Sequence, residues 1–205
     1  MTFAPAVLEN QFVRLEPLAA AHREPLRAAA ADPDLWRFHS INQHGGTHGG
    51  NFDTWFDWYA GRSAAGEEFT WAVVDKASGA AAGATSYLQP SWKNRKVEIG
   101  NTWYAKPFWA GAVNPSCKRL LFALGFKELG LNRIELKLDA TNVRSFRAVA
   151  RLGARFEGIH RAHMVLPDGR IRDLVLTEEA LAVLVQESGW SRLELRSLGD
   201  AELRV

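Results

Sequence analysis

The residues with the clearest chemical potential lie between Val97 and Ser145. Glu98 stands between Val97 and Ile99. On a strand its carboxylate faces the side opposite both neighbours, which makes it a candidate proton acceptor. The run Trp103–Cys117 (WYAKPFWAGAVNPSC) passes from a strand end into a helix start, with Gly111 set between Ala110 and Ala112. Small residues let a ligand approach the backbone. Free N–H groups at a helix start, together with the helix dipole, favour phosphate. Lys118 and Arg119 add positive charge in the first turn, while Pro115 withholds one N–H donor. Asn142 has the residue type of an N-cap, and Ser145 follows one turn later on the same face.

Other reactive types have plainer readings. Cys117 sits near a helix start that would favour a thiolate, yet no His follows at motif distance, so it reads as an inert packed residue. His44 and His48 make two ligands where a zinc site needs more. Arg144, Arg147, Arg151 and Arg155 recur at near-helical spacing, as on a solvated basic face. His160 and His163 are three apart on an expected strand and should face opposite ways.

The elements that position these groups follow from patterning. Phe12–Leu18, Thr70–Asp75, Ala81–Gln89, Lys96–Tyr104, Arg133–Leu138, Ala154–Val165 and Arg170–Thr177 read as strands. Ala19–Ala31 reads as a helix that stops before Asp32-Pro33, with Pro25 tolerable only in the first turn. Phe52, Trp55, Phe56 and Tyr59 fall on one helical face. Asn114 should cap a helix running to Gly130, with Pro115 at its first position. Asn142 should cap another that ends at Gly153. His39–Gly50 reads as loop, and Glu178–Glu187 as a short helix. This order implies an α/β domain: a mixed sheet with helices on both faces and two helix starts at one sheet edge.

Composition sets limits. A chain of 205 residues is one domain, here 1–190, with a tail over 191–205. Net charge is +2 and no five-residue Lys/Arg run occurs, which argues against nucleic acid as a partner. No apolar run reaches membrane-spanning length, and the N-terminus lacks a signal-peptide pattern, so a cytoplasmic protein without a membrane partner is expected. One cysteine excludes an internal disulfide and a Cys-rich zinc site. Six of the eight tryptophans lie between Trp36 and Trp103, enough to build a core and wall a pocket.

Six pieces occur in order: EIG (Glu98–Gly100), V-N-x-x-x-K (Val113–Lys118), LGLNRIELK (Leu129–Lys137), N-x-x-S (Asn142–Ser145), RLGARFEG (Arg151–Gly158) and HMVLPDGRIRD (His163–Asp173). Together they resemble the GNAT superfamily of N-acetyltransferases, in the branch named for RimJ and RimL. The resemblance is dense from Val97 to Asp173 and looser from Phe12. It implies a mostly antiparallel central sheet splayed between Lys96–Tyr104 and Arg133–Leu138, with acetyl-CoA in the splay. Backbone near Asn101, Thr102 and Trp103 would meet the pantetheine arm. The N–H groups of Ala110, Gly111, Ala112, Val113 and Asn114 would meet the pyrophosphate. Asn142 would also bond the arm. Ser145 would protonate the departing thiolate, in place of a Tyr that many members carry where this chain has Val149. Glu98 would deprotonate the amine. Trp36, Trp55 and Tyr59 would wall the acceptor pocket, for a small amine or a protein N-terminus, and a homodimer is plausible by the same resemblance. The Arg144 series could reach the 3′-phosphate. No metal is implied.

The chain departs from the superfamily's loop pattern of Arg or Gln, two residues, Gly, one residue, Gly or Ala. Trp109 replaces the Arg or Gln, Ala112 the first Gly, and Asn114 the last small residue. Ala112 adds a Cβ where backbone must approach phosphate, and it resists positive φ. These departures support a second reading, a non-catalytic acyl-CoA-binding or protein-interaction module on the same fold.

Overall fold

The computed structural model describes residues 3–36, 38, 51–166 and 169–178. Its strands are β1 (Leu8–Glu9), β2 (Val13–Pro17), β3 (Phe69–Asp75), β4 (Ala81–Ser91), β5 (Lys96–Tyr104), β6 (Arg133–Asp139), β7 (Arg155–Val165) and β8 (Ile171–Glu178). Its α-helices are α1 (Arg23–Ala29), α2 (Phe52–Ala64), α3 (Val113–Ala123) and α4 (Val143–Ala150). The strands form one sheet in the order β1-β2-β3-β4-β5-β6-β8-β7. Only β5 and β6 pair in parallel, because the chain between them crosses over through α3.

The helices cover both faces. Leu26 of α1 and Trp55, Phe56 and Tyr59 of α2 pack with Ala72, Ala84 and Trp103 on one side. Val113, Cys117, Leu121 and Phe122 of α3 and Val149 of α4 pack with Trp71, Val97, Ile99 and Ile134 on the other. Pro25 is the third residue of α1, in the first turn, where its missing N–H costs no intrahelical bond. Asn51 caps α2, its side chain accepting from the Thr54 N–H. No helix among the described residues is long and apolar enough to cross a membrane.

Four expectations are corrected. First, the cap of α3 is Ala112 rather than Asn114, so Pro115 is the third helical residue instead of the first. Second, α3 does not run evenly to Gly130. It ends in a π turn at Leu124–Glu128, beside which the Tyr87 hydroxyl donates to the Leu121 carbonyl. Third, His160 and His163 do not face apart: their ring centroids are 5.2 Å from each other. A bulge between them, with Ala162 at φ +50°, breaks the two-residue alternation on which the sequence reading rests. Fourth, Glu178 closes β8 rather than opening a helix. Residues 179–187, the loop 39–50 with His44 and His48, and the tail 191–205 lie outside the described residues.

Candidate active site

β5 and β6 stay together for only three pairs, Lys96↔Arg133, Val97↔Ile134 and Glu98↔Glu135. Beyond Glu98, β5 follows β4 and β6 follows β8, so the sheet parts. The parted strands run toward the starts of α3 and α4 respectively. The splay expected from the resemblance is present, and two helix N-termini stand at its open end.

β5 is also bulged. Gly100 pairs with Ser86 and Trp103 with Ala84, leaving Asn101 and Thr102 opposite Thr85 alone. Asn101 takes φ +49°, a region Asn tolerates better than most residues. The extra residue resets the alternation. Glu98, Asn101 and Trp103 meet residues of the α2 side, whereas Ile99, Thr102 and Tyr104 meet those of the α3 side. The Asn101 side chain accepts from the Trp55 indole at 2.7 Å and donates to Ser86 Oγ at 2.9 Å. Its own side chain is therefore occupied, and what it leaves to the groove is its backbone.

Between β5 and α3, Lys106–Phe108 form a 3₁₀ turn, and Trp109 follows in extended conformation with its indole N–H on the Tyr104 carbonyl at 2.6 Å. The left-handed residue of this loop is Ala110, at φ +58°. Ala112, where the sequence places the strain, is ordinary right-handed backbone at φ −73°. The turn has moved two residues upstream, and Ala112 needs no glycine. A Cβ on Gly111 would meet only the Phe108 carbonyl, at 3.8 Å, so that side of the loop is open. The N–H groups of Val113 and Asn114 lie in the first turn of α3, where helical geometry gives them no acceptor.

Lys118, which the sequence offers as positive charge in the first turn of the helix, turns inward. It is buried at 4% exposure, its Nζ 2.8 Å from Thr102 Oγ1 and 3.5 Å from Thr85 Oγ1. Burial pushes its pKa down to about 8. Cys117 beside it is fully buried, and burial pushes its thiol up to about 12, which keeps it inert as expected.

Asn142 caps α4, its Oδ1 accepting from the Ser145 N–H at 3.1 Å. The Ser145 hydroxyl is half-buried and makes no hydrogen bond to another described residue. Arg144, between them, lays its guanidinium over Trp109, Cζ 3.6 Å from the ring centroid.

Glu98 is nearly enclosed, with 12% of its side chain exposed, and its Oε2 accepts from Lys137 Nζ at 2.8 Å. Burial raises its pKa; Lys137 opposes this, while Glu135 and Glu68 add to it. Glu135 pairs with Lys96 and Arg133. Burial alone would raise its pKa, but these hydrogen bonds prevail and hold it at about 2. Of the two carboxylates, Glu98 is the one nearer to accepting a proton. The sequence missed Lys137 as its partner. Alternation places Lys137 on the same side as Glu135, but only the strand register brings that side against Glu98.

The tryptophans divide. Trp55 and Tyr59 are 1% and 3% exposed, core residues behind the site instead of its wall. Trp55 reaches the site through Asn101. Trp36 donates to the Ala30 carbonyl and lies 5.4 Å from Trp103. The Trp103 indole N–H is buried with no hydrogen-bond partner among the described residues.

The sheet is thus mixed and parted between two parallel strands, with a helix starting beyond each. Residues 13–155 match the family model of the GNAT acetyltransferase domain. The chain belongs to the GNAT acetyltransferase family. A GCN5-related N-acetyltransferase from Brucella melitensis is similar at 30% identity, covering 86% of this chain and 80% of its own, with a TM-score of 0.75. RimJ from Mycobacterium smegmatis, solved in complex with CoA-disulfide, shares the fold at 19% identity, with 88% of each chain covered and a TM-score of 0.72. So does the ribosomal-protein-S5-alanine acetyltransferase of Vibrio fischeri, at 16% identity over 85% of this chain and 96% of its own, with a TM-score of 0.66. No curated protein matched the sequence.

Proposed function

We propose that this chain transfers an acetyl group from acetyl-CoA to a primary amine by direct attack in a ternary complex. The observation that carries this reading is the parting of β5 from β6, with the starts of α3 and α4 beyond it. The pantetheine arm would lie along the free backbone at Asn101–Trp103. The diphosphate would meet the N–H groups of Ala110–Asn114, where the dipole of α3 favours it. Asn142 Oδ1 is taken by its cap, so its Nδ2 is the group left for the arm.

The amine nitrogen attacks the acetyl carbon as the carbon–sulfur bond breaks. Glu98 takes the amine proton, directly or through one water, and Ser145 Oγ returns a proton to the thiolate. The raised pKa of Glu98 and the unpartnered Ser145 hydroxyl favour these roles. The Trp103 indole N–H is free to bond an oxygen of the acceptor. The acceptor is a small amine or a protein N-terminus; the Vibrio fischeri neighbour is a ribosomal-protein-S5-alanine acetyltransferase.

Calorimetric titration with acetyl-CoA tests the reading, with desulfo-CoA and ADP as controls, followed by thiol release with a panel of amines. Micromolar binding with amine-dependent thiol release is the expected result. Binding without release to any amine selects the non-catalytic module that Trp109 and Ala112 suggest. No binding at millimolar coenzyme overturns the reading.

A further inference from the structure

The superfamily's loop pattern carries Arg or Gln where this chain carries Trp109. At this position, at the entry to α3, the chain instead brings Trp109 together with Arg144. Trp109 is fixed by its bond to the Tyr104 carbonyl. Arg144, from the first turn of α4, stacks on its ring with Cζ 3.6 Å from the centroid. Stacking uses the face of a guanidinium and leaves its N–H donors pointing outward at the edge. Arg133, Arg23 and Arg27 spend those donors on carboxylates. Arg144 has no carboxylate partner among the described residues.

Its position is also unfavourable in the free protein. A cation in the first turn opposes the helix dipole, and partial burial disfavours its charge. An anion at the free donors would relieve both costs.

We propose that Arg144, held over the Trp109 ring, is the coenzyme phosphate clamp of this chain, bringing its donors from α4 to the entry of α3. The inference rests on the acetyl-CoA reading above. The anion is a phosphate of the coenzyme, either its diphosphate or its 3′-phosphate.

The test is acetyl-CoA affinity of the full chain across a salt series. Arg144→Ala should weaken binding about tenfold to a hundredfold, the range for a charge-assisted hydrogen bond, and flatten the salt dependence. Its unfolding midpoint without coenzyme should not fall below that of the wild type. Trp109→Ala should weaken the wild type but add little to Arg144→Ala, since both remove one device. Trp109→Arg in the Arg144→Ala background should restore binding. With dephospho-CoA, a deficit that vanishes assigns the 3′-phosphate, and one that persists assigns the diphosphate. If wild type binds acetyl-CoA and Arg144→Ala binds equally at every salt concentration, the clamp is wrong and the coenzyme reading stands. If the two single losses simply add, Trp109 does not position Arg144. Absence of wild-type binding overturns both.

Discussion

Lys118 places a charge against two threonine hydroxyls. Thr102 and Thr85 solvate its Nζ, no carboxylate among the described residues pairs with it, and burial lowers its pKa from 10.5 to about 8. The sign of the stability effect follows. Below pH 8 the lysine is protonated in both states, and the folded protein bears the whole cost. Between about 8 and 10.5 the unfolded chain binds more protons, so stability rises with pH. Lys118→Met should therefore stabilise the protein at pH 7 by up to roughly 3 kcal/mol and abolish that rise, as read by denaturant unfolding at several pH values. A variant less stable than wild type at pH 7 would mean the ammonium is better solvated than its burial indicates. Glu98 gives the opposite case. Burial raises its carboxyl, so the base form accumulates only as pH climbs through that raised value. In the proposed reaction, kcat/KM should rise across that interval. Glu98→Gln should lower it about a hundredfold or more and remove the rise. An unchanged pH profile in Glu98→Gln would take the base role from this residue.

At the scale of elements, the sequence was informative wherever alternation or capping chemistry was local. The seven strand segments and the Asn142 cap could be read from neighbouring residues; a helix from Ala19 could not hold Pro25, and the structure resolves this by starting α1 at Arg23. What could not be read depends on one extra residue. The bulge at Asn101 turns its side chain to Trp55, and the bulge at Ala162 brings His160 to His163. The same limit hid Lys137, whose approach to Glu98 depends on a three-pair parallel register, and the inward course of Lys118. The β5 bulge gives the element-scale prediction. Asn101 satisfies both the Trp55 N–H and Ser86, and it accepts positive φ. Asn101→Ala leaves a buried indole donor unpaired and a Cβ residue in a left-handed conformation. It should cost about 1–3 kcal/mol in thermal or denaturant unfolding. Asn101→Gly, which relieves the backbone but not the indole, should recover only part of that loss. Full recovery would locate the cost in the backbone alone.

For the whole molecule, the seam between β5 and β6 divides the sheet into β1–β5 and β6–β8, joined by three residue pairs. Two ion pairs cross the seam, Lys96–Glu135 and Glu98–Lys137, and the α3 core packs against strands on both sides. Past Glu98, the backbone of β5 has no strand partner on the β6 side, and β6 has none on the β5 side. These edges are regular backbone open on one side, and the proposed coenzyme position lies between them. A ligand at one hundred times its Kd stabilises the folded state by about 2.7 kcal/mol, whatever its site. The distribution of that gain is what reports location. With acetyl-CoA bound, amide hydrogen exchange should slow most in residues 99–104 and 136–139 and at the starts of α3 and α4. The β2–β3 ladder, already paired on both sides, should gain only the global amount. Stabilisation without local protection at the seam would place the coenzyme elsewhere on the molecule, and the parted strands would then be a property of the sheet alone.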